Sequence, residues 1–163
     1  LAIAGLGAAP ASAAPRDDAR PAVCWLDADT GDQQCFADDA EFEAAVAEQT
    51  GRVVVHEDDM LAARGIDVVA AATYVIGEFY EGQYYLGVKY NITSSSSTVC
   101  ASGSKKGNFG SGPNNTISSY RAYFGCSGRV YDLPNQAGDS SSLVVNAPTL
   151  GSMDNRASSY ILT

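Results

Sequence analysis

The sequence is poor in the residues that do most enzyme and metal chemistry. Its 163 residues include one histidine, one tryptophan and two methionines. The four cysteines carry no CxxC spacing, so with a single histidine no tetrahedral zinc ligand set can be assembled from sequence-local pairs. Lysine and arginine number 10 against 19 aspartates and glutamates, a net charge of −9. A nucleic-acid partner, which requires a basic stripe, is therefore excluded. No apolar run reaches the roughly 18 residues that cross a bilayer. There is no Gly-x-Ser-x-Gly elbow, phosphate-binding loop or HExxH helix, and nothing supplies a nucleophile with a base. The expectation is a non-enzymatic protein.

What is present points to a loop-rich β architecture. Hydrophobic residues make up 45% of the chain, enough for a core, while 16 glycines and runs of serine break it into short segments. Charge is unevenly shared. Residues 1–73 hold 14 acidic residues against 4 arginines, net −10, and residues 74–163 hold 5 acidic against 6 basic, net +1. The acidic half reads as a solvated surface. Residues 1–13, small and apolar and ending in Ala11-Ser12-Ala13, read as a truncated signal peptide, and residues 14–22 as a linker. Four cysteines allow three connectivities. Cys24–Cys35 and Cys100–Cys126 are expected because each closes a local loop, and an oxidising, extracellular location follows.

From residue 23 to 72 the pattern predicts a small acidic α+β segment. Val23 to Leu26 and Gln34 to Phe36 read as strands around a turn at Asp29-Thr30-Gly31-Asp32. Asp38-Asp39-Ala40-Glu41 resembles a capping box, and Phe42, Ala45, Val46 and Gln49 recur at helical spacing up to Gly51. This predicts a helix over 39–50, a strand from Arg52 to His56, and a short helix from Asp58 to Arg64 stopped by Gly65. Asp27 to Asp32 superficially resembles the start of an EF-hand loop. The glycine falls one place early, so a hairpin turn is the better reading. His56, beside Glu57-Asp58-Asp59, reads as a surface residue.

From 73 to 163 the sequence alternates and becomes aromatic. Strands are expected at Tyr74–Tyr80, Tyr84–Ile92, Ser118–Phe124, Arg129–Leu133, Ser142–Asn146 and Ser158–Leu162, with turns at Ser94–Ser97, Gly103–Asn115 and Pro134–Asp139. The region also repeats. Asn114-Asn115-Thr116-Ile117-Ser118-Ser119-Tyr120 returns forty residues later as Asp154-Asn155-Arg156-Ala157-Ser158-Ser159-Tyr160. Tyr80-x4-Tyr85-x-Gly87 returns as Tyr131-x4-Gln136-x-Gly138. Hairpin motif and polar motif alternate twice, in the order of a duplicated unit.

These two signatures, aromatic-x4-aromatic-x-Gly and Asn/Asp-Asn/Asp-x-x-Ser/Thr-Ser, resemble those of microbial calcium-binding βγ-crystallins. The resemblance covers residues 74–163 only and implies a mainly β, two-Greek-key sandwich beside the small α+β segment. The chemistry is consistent with it. Calcium takes six to eight oxygens at about 2.3–2.6 Å, and the polar motif concentrates amide, carboxylate, hydroxyl and carbonyl oxygens within six residues. The resemblance implies ligands from Asn114, Asn115, the carbonyl of Thr116 and the hydroxyl of Ser118 in one motif. It implies Asp154, Asn155, the carbonyl of Arg156 and the hydroxyl of Ser158 in the other. The resemblance further implies one ligand each from hairpin carbonyls near Gln83 and Pro134, an exchange of ligands between the two motifs, and a role for Ser119 and Ser159 in holding the hairpins rather than the ion. Without metal, Asn-Asn and Asp-Asn would simply begin Asx turns.

The repeat is imperfect in two places. Gln136 stands where the pattern is aromatic, which predicts a less well folded second hairpin. Tyr80 to Asn114 spans 34 residues but Tyr131 to Asp154 only 23, so the first repeat carries about 11 extra residues around Cys100. Only Asp154 brings a formal charge to the implied sites, so affinity of about 10⁻⁶ to 10⁻³ M is expected, as in extracellular modules. An alternative on the same fold is a secreted protease inhibitor or killer-toxin-like protein that presents the Gly103–Asn115 loop, with Lys105-Lys106, to an extracellular protein partner.

Overall fold

The computed structural model describes residues 22–62 and 71–163. The leader and most of the linker expected over residues 1–22, and the end of the short helix at Arg64 and Gly65, lie outside the described residues. Among the described residues eleven strands build two sheets. In chain order they are β1 (Val23–Asp27), β2 (Gln33–Phe36), β3 (Val53–Val55), β4 (Ala72–Tyr80), β5 (Lys89–Ser94), β6 (Lys105–Asn108), β7 (Ser119–Ala122), β8 (Gly128–Leu133), β9 (Ala137–Ser140), β10 (Asn146–Ala147) and β11 (Ser159–Leu162). Helices α1 (Asp39–Thr50), α2 (Glu57–Ala62) and α3 (Val99–Ser102) lie between them.

The first sheet runs β10-β7-β4-β5-β1-β2, with β3 also paired to β4, and the second runs β6-β11-β8-β9. Within residues 72–163 each repeat supplies four strands. β4, β5 and β7 of the first repeat stay together while its third strand, β6, crosses to β11 of the second sheet. β8, β9 and β11 of the second repeat stay together while β10 crosses to β7. Two Greek keys that trade their third strands form a βγ-crystallin-like sandwich.

The core between the sheets is centred on aromatic rings. Phe79 lies 5.2 Å from Tyr120, 5.3 Å from Phe109 and 5.5 Å from Tyr160 between ring centroids. Such offset and tilted pairs add to the burial of the rings themselves. The Tyr120 hydroxyl donates to the Gly128 carbonyl, giving that buried polar group its partner. All nine residues of β4 are buried, because both faces of the strand are covered. A register shift between Val75 and Gly77 resets the alternation. Ile76 and Phe79 thus both face the inner core while Val75 joins a second one.

That second core is the work of the N-terminal segment. β1 pairs parallel to β5, with Trp25 opposite Asn91, and β3 pairs parallel to β4. The segment therefore extends the first sheet and lays α1 across its outer face. Val23, Trp25, Phe42, Val46 and Val75 pack there. The Trp25 indole donates to the Thr93 hydroxyl at 2.7 Å. Helix α1 follows its sequence signals: Asp38 accepts from the Glu41 N–H at 2.9 Å, Glu41 reaches back to the Ala37 N–H at 3.0 Å, and Gly51 ends the helix at φ 66°. The cap serves Ala37, one residue before the usual box position. Both disulfides, Cys24–Cys35 and Cys100–Cys126, are formed.

Three expectations are corrected. Lys105–Asn108 and Ala137–Ser140, read as parts of turns, are strands, because each finds a partner across the sheet that local alternation does not announce. Tyr84 to Val88 is not strand but the folded tip of a hairpin. Of Ser142–Asn146 only Asn146 belongs to a named strand, Val144 making a single bridge to Gly128.

Phe42 is fully buried against Trp25, at 6.4 Å between centroids. Phe42→Ala is expected to cost about 3–5 kcal/mol in chemical denaturation. Because α1 sits on the sandwich's own sheet, loss of the Trp25 signal should coincide with loss of β structure, in one transition.

Candidate metal centre

The two hairpins fold back over the sandwich by the same device. In the first, Tyr84 and Tyr85 take left-handed conformations (φ 56° and 67°), followed by Gly87 at φ 82°. In the second, Asn135, Gln136 and Gly138 do so at 60°, 58° and 77°. At φ 77° a side chain on Gly138 would be strained, and its β-carbon would crowd Asp132 Oδ1 and the Leu133 side chain, so the position favours glycine. Each tip is tied down by the last serine of a polar motif. The Ser119 hydroxyl donates to the Gly82 carbonyl at 2.6 Å and accepts from the Tyr85 N–H at 3.0 Å. Ser159 donates to the Leu133 carbonyl at 2.7 Å and accepts from the Gln136 N–H at 3.0 Å.

Gln136 does not loosen the second hairpin. Tyr85 uses its ring, 5.7 Å from that of Tyr80 and beneath the Arg121 guanidinium at 3.8 Å. Gln136 instead donates its amide to the Gly107 and Tyr160 carbonyls, both at 3.3 Å. Hydrogen bonds take the place of stacking.

The polar motifs lie side by side and exchange contacts. The Asn115 N–H donates to the Ala157 carbonyl at 2.9 Å, and the Asn155 N–H to the Ile117 carbonyl at 3.0 Å. Asn115 and Asn155 both adopt left-handed backbone, at φ 60° and 54°, which asparagine tolerates well. The Ser118 hydroxyl donates to Asn155 Oδ1 and the Ser158 hydroxyl to Asn115 Oδ1, each at 3.3 Å. Two oxygen cradles result, related by the internal pseudo-twofold. One joins Ser118 and Asn155 and continues to Asp154, whose Oδ2 accepts from the Gln83 amide at 3.3 Å. The other joins Ser158 and Asn115.

The remaining implied ligands enter less directly. The Asn114 N–H closes a turn onto the Gly110 carbonyl at 3.0 Å, and Thr116 donates its hydroxyl to the Pro113 carbonyl at 3.0 Å. Pro134 heads the second hairpin tip, which Asn108 of β6 holds through the Asn135 N–H at 2.7 Å. The Arg156 guanidinium turns to Asp132 at 2.7 Å, Asp139 at 3.1 Å and the Ser152 carbonyl at 3.1 Å. Asp139 and Asp132 hold its pKa above the usual arginine value. Sequence reading missed these two aspartates; their only signal is that Asp132 follows the Tyr131 that opens the second hairpin motif.

Among the described residues two carboxylate oxygens, Asp132 Oδ1 and Asp154 Oδ1, are buried without a hydrogen-bond partner, as are Arg129 Nε and both amide atoms of Asn91. A buried carboxylate oxygen normally has a donor or a cation, so the environment of Asp154 Oδ1, whose carboxylate continues a cradle, suits a hard metal ion. Among the described residues no cluster of three or more His, Cys, Asp or Glu side chains is spaced to hold a metal. The cradles therefore rest on amide, hydroxyl and carbonyl oxygens with a single carboxylate.

Elsewhere, His56 is half-buried rather than free at the surface. It lies 3.8 Å from Glu43, beside a cavity of about 420 Å³ that Glu78, Arg121 and Tyr123 also line. Glu78 Oε2 accepts from the Tyr80 and Tyr123 hydroxyls, both at 2.5 Å. Burial first, and then the Glu78 charge and hydrogen bond, push both phenols far above their ordinary value. The EF-hand-like stretch is a turn, in which Asp27 Oδ1 accepts from the Asp29 and Thr30 N–H groups. Asp29 is taken up by the Lys105 ammonium at 2.5 Å and the Ser95 N–H at 2.7 Å.

Burial acts to raise the Asp29 pKa, but Lys105 and Ser95 outweigh it and bring it down to about 2. A folded-state pKa below the unfolded one stabilises the fold above the ordinary carboxylate range and loses that contribution as pH falls towards the folded value. Lys105→Met should move the Asp29 titration back towards the ordinary range in a carboxyl NMR experiment, and the acid unfolding midpoint should rise.

No protein-family profile matches this chain, and no curated protein sequence does. Among solved structures it is similar to the N-terminal domain of Protein S, at 23% identity, over 54% of this chain and 94% of that one, with a TM-score of 0.41. It is similar to a βγ-crystallin domain from Clostridium beijerinckii at 19% identity, over 53% and 95%, with a TM-score of 0.41. It is also similar to a clostrillin double mutant in complex with nickel, at 17% identity, over 53% and 95%, again at 0.41. By its own strand order, with third strands traded between two Greek keys, the region from Ala72 to Thr163 has a βγ-crystallin-like fold.

Proposed function

We propose that the chain is a secreted, non-enzymatic calcium-binding protein whose fold is stabilised by two weak calcium sites, one in each oxygen cradle. The observation that carries this reading is the buried Asp154 Oδ1 without a partner, set beside Gln83 and next in sequence to the Asn155 that meets Ser118 across the two motifs. Ser118 and Thr116, with Asn155, Asp154 and the hairpin at Gln83, would hold one ion. Ser158 and Arg156, through hydroxyl and carbonyl, with Asn115, Asn114 and the hairpin at Pro134, would hold the other. Calcium accepts such neutral oxygen sets and the irregular geometry that loops provide. The ion's role would be to bind hairpin and motif together. Two disulfides support an oxidising, extracellular setting. The inhibitor or toxin alternative gains no support from Lys105, which is engaged by Asp29 instead of being presented on a loop.

Calcium that binds only the folded chain stabilises it by RT ln(1+[Ca]/Kd), about 2.7 kcal/mol at 100 Kd. The melting temperature should rise with excess calcium and fall on chelation. An unchanged melt together with no calorimetric binding heat would sink the proposal. Asp154→Ala should weaken calcium binding while the calcium-free protein keeps its stability to within about 1 kcal/mol, since only the exposed 3.3 Å bond from the Gln83 amide is lost.

A further inference from the structure

The duplicated unit presents one tyrosine twice, and the two phenols end differently. Tyr120 and Tyr160 close the two polar motifs forty residues apart, and both are buried, at 0% and 3% exposure. The Tyr120 hydroxyl donates to the Gly128 carbonyl inside the sandwich. Among the described residues the Tyr160 hydroxyl makes no hydrogen bond. It opens instead on a cavity of about 230 Å³ between the turn of the β1–β2 hairpin and β6. The ring passes β6 at Gly107, where a β-carbon would stand 2.8 Å from the hydroxyl, so the glycine leaves the phenol room to reach the cavity.

The groups around this phenol are mixed in kind. Asp27 uses Oδ1 for the Asp29 and Thr30 N–H groups, while its Oδ2 makes no hydrogen bond among the described residues. The Gln33 amide and the Lys106 ammonium also line the cavity, and Leu26 and Ala28 give it an apolar wall. One carboxylate and one ammonium leave no net charge to select an ion. Burial, and then the charge of Asp27, hold the Tyr160 phenol above its ordinary pKa, so it is an O–H donor at neutral pH. A buried donor and an acceptor it does not reach are both satisfied by one group that accepts from the first and donates to the second. A hydroxyl does both, whereas a carboxylate cannot donate and an ammonium cannot accept. We propose that this cavity, at the seam between the acidic N-terminal segment and the sandwich, binds a neutral polyhydroxylated ligand: a single sugar ring or the exposed end of a sugar chain. One sugar hydroxyl bridges Tyr160 and Asp27, a neighbouring one meets Gln33 or Lys106, and the ring carbons lie on Leu26 and Ala28. The site shares no residue with the oxygen cradles, so it stands whether or not they take calcium.

The test is a backbone-amide NMR titration of the oxidised full chain with glucose, N-acetylglucosamine, maltotriose and chitotriose. A small cavity open to solvent sets an expected Kd of about 1 mM. The amides of Gln33, Lys106 and Gly107 should shift, and those of Ser118 and Asn155 should stay in place. Shifts with the single sugars identify a free ring as ligand, and shifts with the trisaccharides alone identify a chain end. Tyr160→Phe removes only an unpartnered hydroxyl, so it should weaken binding about fivefold or more while the melting temperature holds. Asp27→Asn keeps an Oδ1 for the turn and should weaken binding as well. Tyr120→Phe, by contrast, removes a partnered hydroxyl and should lower the melting temperature without changing sugar binding. No shift with any of the four sugars at about 10 mM would overturn the proposal. So would shifts that fall away from the seam, or a Tyr160→Phe protein that binds as tightly as the wild type.

Discussion

Two serine hydroxyls, those of Ser119 and Ser159, hold the arrangement on which everything at the site depends. Each is fully buried, and each joins two backbone groups of a hairpin tip that would otherwise have no partner in that folded-over shape. A buried polar group left unpaired costs about 1–3 kcal/mol, so one hydroxyl here stabilises a donor and an acceptor at once. The hydroxyls also fix distance. Because Ser119 and Ser159 immediately follow Ser118 and Ser158, the tip of each hairpin is brought over the polar motifs. The left-handed residues at both tips, including two consecutive tyrosines, are held in strained backbone by this anchorage.

The duplicated region was legible because its chemistry is local. Asn-Asn and Asp-Asn with a serine pair three residues later mark a segment that turns and then enters a strand, and Asn115 and Asn155 do so in left-handed backbone. Helix α1 was equally plain, since Asp38 and Gly51 cap it as their side chains and backbone freedom dictate. Strands β6 and β9 were not legible. Lys-Lys-Gly-Asn and Ala-Gly-Asp-Ser show no apolar alternation, and both strands exist because β11 and β8 offer ladders to pair with. Gln136 misled for a related reason. A signature written in aromatic residues does not reveal that an amide within reach of Gly107 and Tyr160 can anchor the same turn.

The N-terminal segment shows a different limit of local reading. Its strands and helix were predictable, but not its attachment. β1 and β3 join the first sheet by parallel pairing with β5 and β4, which depends on residues far along the chain. One result is that the outer face of that sheet carries a polar group, Glu78, beneath cover. It is 7% exposed and held by two phenols, with Lys89 at 3.7 Å and Asp39 of α1 on the same ammonium at 2.6 Å. The acidic segment thus meets the nearly neutral sandwich partly through a lysine they share.

The parallel pairing of β1 with β5 also bears on how the chain folds. Val23 and Lys89 are neighbours in the sheet but distant along the chain, so β1 and β2 are synthesised long before the strand they lie against. The Cys24–Cys35 disulfide can join the first hairpin early, and α1 can cover one face of it. Trp25, however, has no sheet to lie in until β4 and β5 emerge and pair with each other. Non-local parallel contacts of this kind are slow to form and leave an edge open meanwhile. Burial of Trp25 therefore requires a hairpin closed by its own disulfide to come into register with a strand that lies far later in the chain.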